Sequence, residues 1–145
     1  MMLKRASGLF FVMMVGGLAG LILREAVFSN SPVVIGLQTA AAALMIWARI
    51  TFGRRSFHAT ADPTKGGLVT NGPYGYIRHP IYTAVCLFVI AGVAVHPSPV
   101  SLGLAALVVI GAIGRILAEE TLLRERYPAY TEYSSRTARM IPFVF

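Results

Sequence analysis

Polar and apolar positions along this chain are gathered into blocks rather than alternated. Residues 6–23 carry no Asp, Glu, Lys or Arg over 18 positions, residues 26–48 none over 23, and residues 80–114 none over 35. A helix of about 18 to 20 apolar residues crosses a bilayer core of roughly 30 Å. The blocks therefore predict an all-α integral membrane protein. The third block is too long for one span. It is punctuated by "HPSP", His96 to Pro99, whose two prolines with a histidine and a serine make a tight turn. Four helices follow: residues 7–23, Pro32 to Arg49, Pro80 to Val95 and Val100 to Leu117, the last two forming a hairpin.

Local residue choices add detail. Gly16 and Gly20, four apart, would let a neighbouring helix approach the first one closely. Pro32 suits a helix N-terminus, and the "TAAAAL" core of the second helix suits tight packing. Residues 52–77 read as a polar, Gly-rich segment. After the fourth helix, Leu117, Leu122 and Leu123 alternate with charges, as in a helix leaving along the membrane surface. Pro128 should interrupt it, and Tyr127, Tyr130 and Tyr133 suit headgroup level. With neither repeats nor a separate soluble portion, residues 1–145 read as a single domain.

Charge changes the picture in one respect. Only 13% of the residues are charged, whereas soluble domains hold about a quarter. The net charge of +7 suggests nucleic acid until its placement is considered. Of 13 Lys and Arg, two precede the first span, five lie between Arg49 and Arg78, and five between Arg115 and Arg139. Arg24 alone falls on the other side. Basic residues collect on the cytoplasmic face, so an even number of spans with both termini cytoplasmic accounts for the charge, and no nucleic-acid partner is expected. "MMVGGLAGLILREAVF" lacks a small-x-small cleavage site before a polar region, so it reads as a retained span. The single cysteine, Cys86, lies in an apolar run, excluding an intrachain disulfide and reading as a small buried hydrophobe. No metal site is expected.

Charge within or beside an apolar span is costly and points to function. Two places qualify. Arg78-His79-Pro80 opens the third block, preceded by "NGPYGY"; Arg115, Glu119 and Glu120 lie where the fourth helix nears the cytoplasm. Arg115 and Glu119 are four apart and share a helix face. Both places sit at adjoining ends of one hairpin, so they can meet. Blander readings also exist: Arg78 can snorkel to lipid phosphates, and Arg115–Glu119 can be a mutual ion pair. The Gly72-Pro73 turn brings bare amides close to a neighbour, and the tyrosines supply flat apolar walls with polar tips.

"LVTNGPYGYIRHPIY", an apolar hairpin, and "RILAEETLLRERYPAYTEYSSRTARMIPF" together resemble the isoprenylcysteine carboxyl methyltransferase family, which is related to phospholipid N-methyltransferases. The resemblance covers about residues 66–143. It implies S-adenosylmethionine-dependent methyl transfer at the membrane surface, with S-adenosylhomocysteine as product. By position it implies that Gly66, Gly67, Leu68, Val69 and Tyr74 line the adenosine. His79, Pro80, Ile81 and Tyr82 form the cofactor wall, and Glu119 hydrogen-bonds the cofactor. Gly72 and Arg78 join the cofactor set, with Arg78 or the amides of the third helix suiting its carboxylate. Arg115 faces the methyl acceptor and Glu120 matches the second acid of the Glu pair, both in the catalytic set. The tail between the Glu pair and Tyr130 is one residue shorter than the family pattern.

The residue types suit the chemistry. Methyl transfer from a sulfonium is a direct displacement whose main demand is alignment, and carboxylates and tyrosine faces suit a cationic cofactor. A carboxylate acceptor needs no base and could pair with Arg115. An amine acceptor needs one, for which Glu120, His79 or a lipid phosphate are candidates. The expected partner is a lipophilic acceptor, prenylated or lipid, entering from the bilayer. Two alternatives stand beside this: an NADPH-dependent sterol-type membrane reductase, which shares a tyrosine-rich tail, and a non-enzymatic membrane scaffold or transporter subunit. The last would favour polar residues midway along helices, of which Gln38 and Thr39 are the only hints in the first half.

Overall fold

The computed structural model describes residues 2–53, 67–142 and 144–145. Gly66, the first residue of the expected adenosine strand, lies outside the described residues. The architecture is all helical: α1 (Met2–Leu23), α2 (Pro32–Phe52), a short 3-10 turn (Gly72–Gly75), α3 (Pro80–Val93), α4 (Pro99–Arg126) and α5 (Tyr130–Arg136). Three of these, α1, α2 and α4, are long and apolar enough to cross a membrane, while α3 is a shorter apolar helix. This is a multi-pass membrane protein.

Prolines and serines set the helix starts. Pro32, Pro80 and Pro99 each stand at the first helical position, where a missing N–H costs nothing. Ser98 caps α4, accepting from the Ser101 amide while the Ser101 hydroxyl accepts from the Ser98 amide at 2.8 Å. This reciprocal pair satisfies two donors that a helix start otherwise leaves open. The "HPSP" stretch is thus both the turn and the cap.

Two expectations change. The fourth helix is longer than the span Val100 to Leu117 expected, because the charged segment after Leu117 is part of it. It runs unbroken for 28 residues to Arg126 and stops two residues before Pro128. Tyr127 is extended (φ −124°, ψ 106°), as the proline ring requires of its predecessor. On α1, the close approach is made by Gly17 with Gly20, not by Gly16. A Cβ on Gly17 would lie 2.8 Å from the Leu104 carbonyl oxygen, and one on Gly20 3.1 Å from the Leu104 side chain, whereas Gly16 faces open space. The buried stripe of α1 runs through Ser7, Met14, Gly17 and Leu21, so position 17 rather than 16 points at α4.

α1 and α4 pack antiparallel along their lengths, and α2 packs on α3 through Val34, Ala41 and Ala48, spaced by seven. The "TAAAAL" segment contributes the first of those alanines. Gln38 donates from its amide to the carbonyls of Val27 (2.8 Å) and Phe88 (3.2 Å). It therefore ties the α1–α2 loop to α3. The core lies between α1, α3, α4 and the tail, with Met14, Leu21, Val89, Val108, Ala112, Ile116 and Met140 among its members.

Candidate active site

The site forms where α3 begins. Its approach is built by the "NGPYG" turn. Gly72 adopts φ +56°, and a Cβ there would lie 2.7 Å from Thr51 Oγ1 and 3.3 Å from Trp47 Nε1. Glycine is required because the backbone is left-handed and presses on the end of α2. The bare face of Gly72 is therefore turned to α2, a packing role that the cofactor assignment did not foresee. Pro73 and Tyr74 are buried behind it, with the Tyr74 ring 5.4 Å from that of Phe52.

Beyond the turn the chain pairs with the C-terminal tail. Ile77 bridges Ala138 in parallel fashion, the Arg78 amide donates to the Ala138 carbonyl (2.8 Å), and the His79 amide donates to that of Arg139 (2.9 Å). The Thr83 hydroxyl donates to the Met140 carbonyl at 2.9 Å. Arg78 adds side-chain bonds, donating to the carbonyls of Ser134 (2.9 Å) and Thr137. The Tyr133 hydroxyl donates to the Tyr74 carbonyl at 2.6 Å. The tail is a strap that fixes residues 74–83 from the outside.

On this frame the two sequence clusters meet, as their placement at adjoining hairpin ends predicted. The adjacent acids divide the space. Glu120, its side chain 4% exposed, receives Arg78 Nε at 2.9 Å, His79 Nε2 at 3.2 Å and Arg139 Nε at 3.2 Å, with Arg124 Nη2 at 3.8 Å. Glu119, its side chain 22% exposed, sits on the other side of His79, whose Nδ1 lies 3.8 Å from Glu119 Oε2. The imidazole thus turns one nitrogen to each carboxylate. Glu119 Oε1 also receives Arg115 Nη2 at 2.9 Å and the hydroxyl of Tyr82. Arg115 Nε donates to that same hydroxyl at 2.6 Å, closing a triangle. The Arg115 guanidinium lies 5.0 Å from the Phe11 ring centroid and 5.9 Å from that of Tyr82.

The tyrosines around this frame stay protonated. Burial raises the Tyr74 phenol above its ordinary value, and the nearby Tyr133 and Glu119 add to the rise while Arg49 opposes it. Burial likewise pushes Tyr133 up to about 12, although Arg78 beside it acts the other way. Both remain neutral donors across the physiological range.

The expected residues thus separate into groups. His79, Tyr82, Arg115, Glu119 and Glu120 converge through direct bonds, together with Arg78. Pro80 and Ile81 form the first turn of α3 beside them. Gly67, Leu68 and Val69 lie in non-helical chain upstream of the turn, with Leu68 and Val69 half-buried. Arg78 does not reach outward to headgroups. Its side chain is 8% exposed and is engaged by Glu120 and tail carbonyls. Residue-by-residue reading missed Phe11, on a helix that drew attention only for its glycines. It also assigned no role to Arg139, although that residue stands inside the quoted tail motif.

Comparison with known families adds an independent result. The phospholipid methyltransferase family model matches residues 31–130, 100 of 145 positions. The chain belongs to this family. No curated protein and no solved structure matches it. The matched span of the membrane methyltransferase runs from the start of α2 through α4 and includes every member of the convergent cluster except the tail's Arg139 and α1's Phe11.

Proposed function

We propose that this methyltransferase transfers a methyl group from S-adenosylmethionine to a lipophilic acceptor at the cytoplasmic membrane face. The observation that carries the reading is the unequal pair of acids. Glu120 is enclosed by cations, whereas Glu119 keeps an exposed edge beside Tyr82, His79 and the start of α3. A cationic cofactor fits such a place: Glu119 offers a carboxylate, and the rings of Tyr74 and Tyr82 offer faces. The first amides of α3, behind Pro80, offer donors to a carboxylate. S-adenosylmethionine, when bound, supplies an electrophilic methyl on its sulfonium.

The chain's own residues do the rest by holding and orienting. Glu119, His79, Pro80, Ile81 and Tyr82 hold the cofactor, with Gly67 to Val69 and Tyr74 around its adenosine. Arg115 binds the acceptor from the other side of Tyr82. A carboxylate acceptor of isoprenylcysteine type would ion-pair with Arg115 and need no base. An amine acceptor, such as a lipid headgroup amine, would give up a proton, and His79 between two carboxylates is the group placed to take it. Arg78 and Glu120 serve as positioning residues, because their bonds go to each other, to His79 and to the tail. Ile113 and Leu117, exposed on α4 next to Arg115, would let the acceptor approach from the bilayer. The cytoplasmic placement rests on the basic residues near both termini and in the α2–α3 segment.

Purified protein in detergent should bind S-adenosylhomocysteine by calorimetry, and His79→Ala should weaken that binding at least tenfold. Absence of binding to the wild type would overturn the reading. Incubation with membrane extract and labelled cofactor should put the label into a lipid or lipidated molecule. Label found only in water-soluble products would refute the lipophilic acceptor.

A further inference from the structure

The family match begins at residue 31, so it leaves α1 without a role. The geometry around Arg115 supplies one. α4 is stripped of side chains where α1 crosses it. A Cβ on Gly111 would lie 2.6 Å from the Phe10 carbonyl oxygen and 2.8 Å from the Met14 amide, and one on Gly114 2.4 Å from the Phe10 ring. Contacts this close between backbones fix the register of the two helices, because sliding either one brings a side chain into the other's backbone. That register sets Phe11 opposite Arg115, the residue that follows Gly114. Phe11 is half-buried, and its ring centroid is 5.0 Å from the guanidinium carbon.

The surroundings of Arg115 show what the ring does. The side chain is 4% exposed. Its Nε and Nη2 are directed at Tyr82 and Glu119, which sets the edges of the guanidinium on one side. The Phe11 ring stands beside this planar cation, 5.0 Å from the guanidinium carbon. A ring on its flank supplies both an attraction for the cation and a wall, in a setting where water does not compete.

We infer that Phe11 is a positioning residue for the methyl acceptor, reached through Arg115: α1 supplies the wall that holds the Arg115 guanidinium in its acceptor-binding orientation. The inference rests on the reading of Arg115 as the acceptor's partner. It extends the working site to a helix outside the family match, and it predicts a defect confined to one of the two substrates. Cofactor contacts lie on the Glu119 and α3 side, so loss of the ring should leave them in place. An acceptor held by a tilted guanidinium should bind less well and react, once bound, at nearly the same rate.

The test uses full-length protein in detergent micelles with labelled S-adenosylmethionine. Three acceptors are titrated separately: S-farnesyl-N-acetylcysteine, phosphatidylethanolamine, and total lipid extract from the host membrane. Phe11→Leu keeps an apolar side chain without a ring, and Phe11→Tyr restores the ring. Arg115→Lys keeps the charge without the planar fork. For whichever acceptor the wild type methylates, Phe11→Leu should raise the acceptor KM at least about fivefold, the scale of even a partly exposed cation–π contact. Its kcat should stay within about twofold and its affinity for S-adenosylhomocysteine should be unchanged; Phe11→Tyr should return KM towards wild type. If Arg115→Lys raises KM and Phe11→Leu does not, the inference fails while the reading of Arg115 stands. If Phe11→Leu lowers kcat and cofactor affinity together, or Phe11→Tyr fails to rescue, the ring only packs and the inference fails. If Arg115→Lys leaves KM unchanged, or the wild type methylates none of the three, the reading beneath the inference fails and the inference falls with it.

Discussion

Two adjacent glutamates, consecutive on α4, are assigned different duties, and the assignment is open to a direct test. Glu120→Gln removes a charge that is 4% exposed and faces Arg78, itself 8% exposed, at 2.9 Å. Removing one partner of a buried pair leaves the other charge uncompensated, which costs about 3–5 kcal/mol. Arg139 and Arg124 add little, since they are 32% and 52% exposed and such pairs contribute about 1 kcal/mol or less. Glu119→Gln is milder. Its side chain is 22% exposed, so water screens this pair more than the Arg78–Glu120 pair, but Arg115 is 4% exposed. The cost therefore lies above the lower end of a charge-assisted hydrogen bond, about 1.5–3 kcal/mol, and below that of Glu120→Gln. At roughly 3 °C per kcal/mol for a chain of this size, Glu120→Gln should lower the melting temperature by about 10 °C or more. Glu119→Gln should lower it by less. Cofactor affinity should fall in the reverse order. Glu119→Gln should weaken S-adenosylhomocysteine binding at least tenfold, whereas Glu120→Gln, measured well below its melting point, should weaken it less. Thermal unfolding followed by intrinsic fluorescence and calorimetry on the same preparations measure both. A Glu120→Gln protein that melts within about 2 °C of wild type while losing cofactor binding would refute the division of labour.

Other consequences are simpler. Deleting residues 137–145 removes the backbone partners of Arg78 and His79, so cofactor affinity should fall at least tenfold although every cluster residue but Arg139 is retained; unchanged calorimetry would show that the strap is dispensable. Gly114→Val should disrupt α1–α4 packing, because the Phe10 ring already stands 2.4 Å from a Cβ there, and a melting temperature equal to wild type would contradict that contact. Tyr133 carries a pKa pushed up to about 12, chiefly by burial. The folded chain therefore keeps a proton that the unfolded one releases above about 10. Its contribution is whole below pH 10 and fades as pH rises towards 12. The melting temperature should drop over that window, and less steeply in Tyr133→Phe.

Much of this was legible in the sequence, and the reasons are physical. Long runs without charge leave little choice but helices in a membrane, and the "HPSP" turn divides the third run where the structure divides it. The meeting of Arg78-His79 with Glu119-Glu120 followed from hairpin geometry alone. What remained hidden depended on rotation and on chain that pairs without periodicity. Gly16 and Gly17 are equivalent in composition, and only the packed face distinguishes them. Phe11 is one of many apolar residues on α1, and nothing in its neighbours marks it as the one opposite Arg115. The pairing of residues 76–79 with 138–139 is backbone to backbone, so side-chain chemistry carried no sign of it.

The unequal lengths of the hairpin helices explain why the cations stand where they do. At about 1.5 Å per residue, the 14 residues of α3 rise about 21 Å and the 28 of α4 about 42 Å. They share the turn at residues 94–98, so the start of α3 lies beside the second half of α4, where His79 is 3.2 Å from Glu120 and Tyr82 bonds Glu119. The remainder of α4 continues alone and receives the tail. A full-length α3 would have covered this part of α4 with apolar side chains and carried Arg78 and His79 away from Glu119 and Glu120. The short helix instead leaves a ledge beside α4, where buried polar groups must satisfy one another or a ligand. Glu120, Arg78, Arg139 and the tail carbonyls satisfy one another. Glu119, with its exposed edge, is the carboxylate of the set that has both a buried partner, Arg115, and access from outside, which is why the proposed cationic cofactor is assigned to it rather than to Glu120.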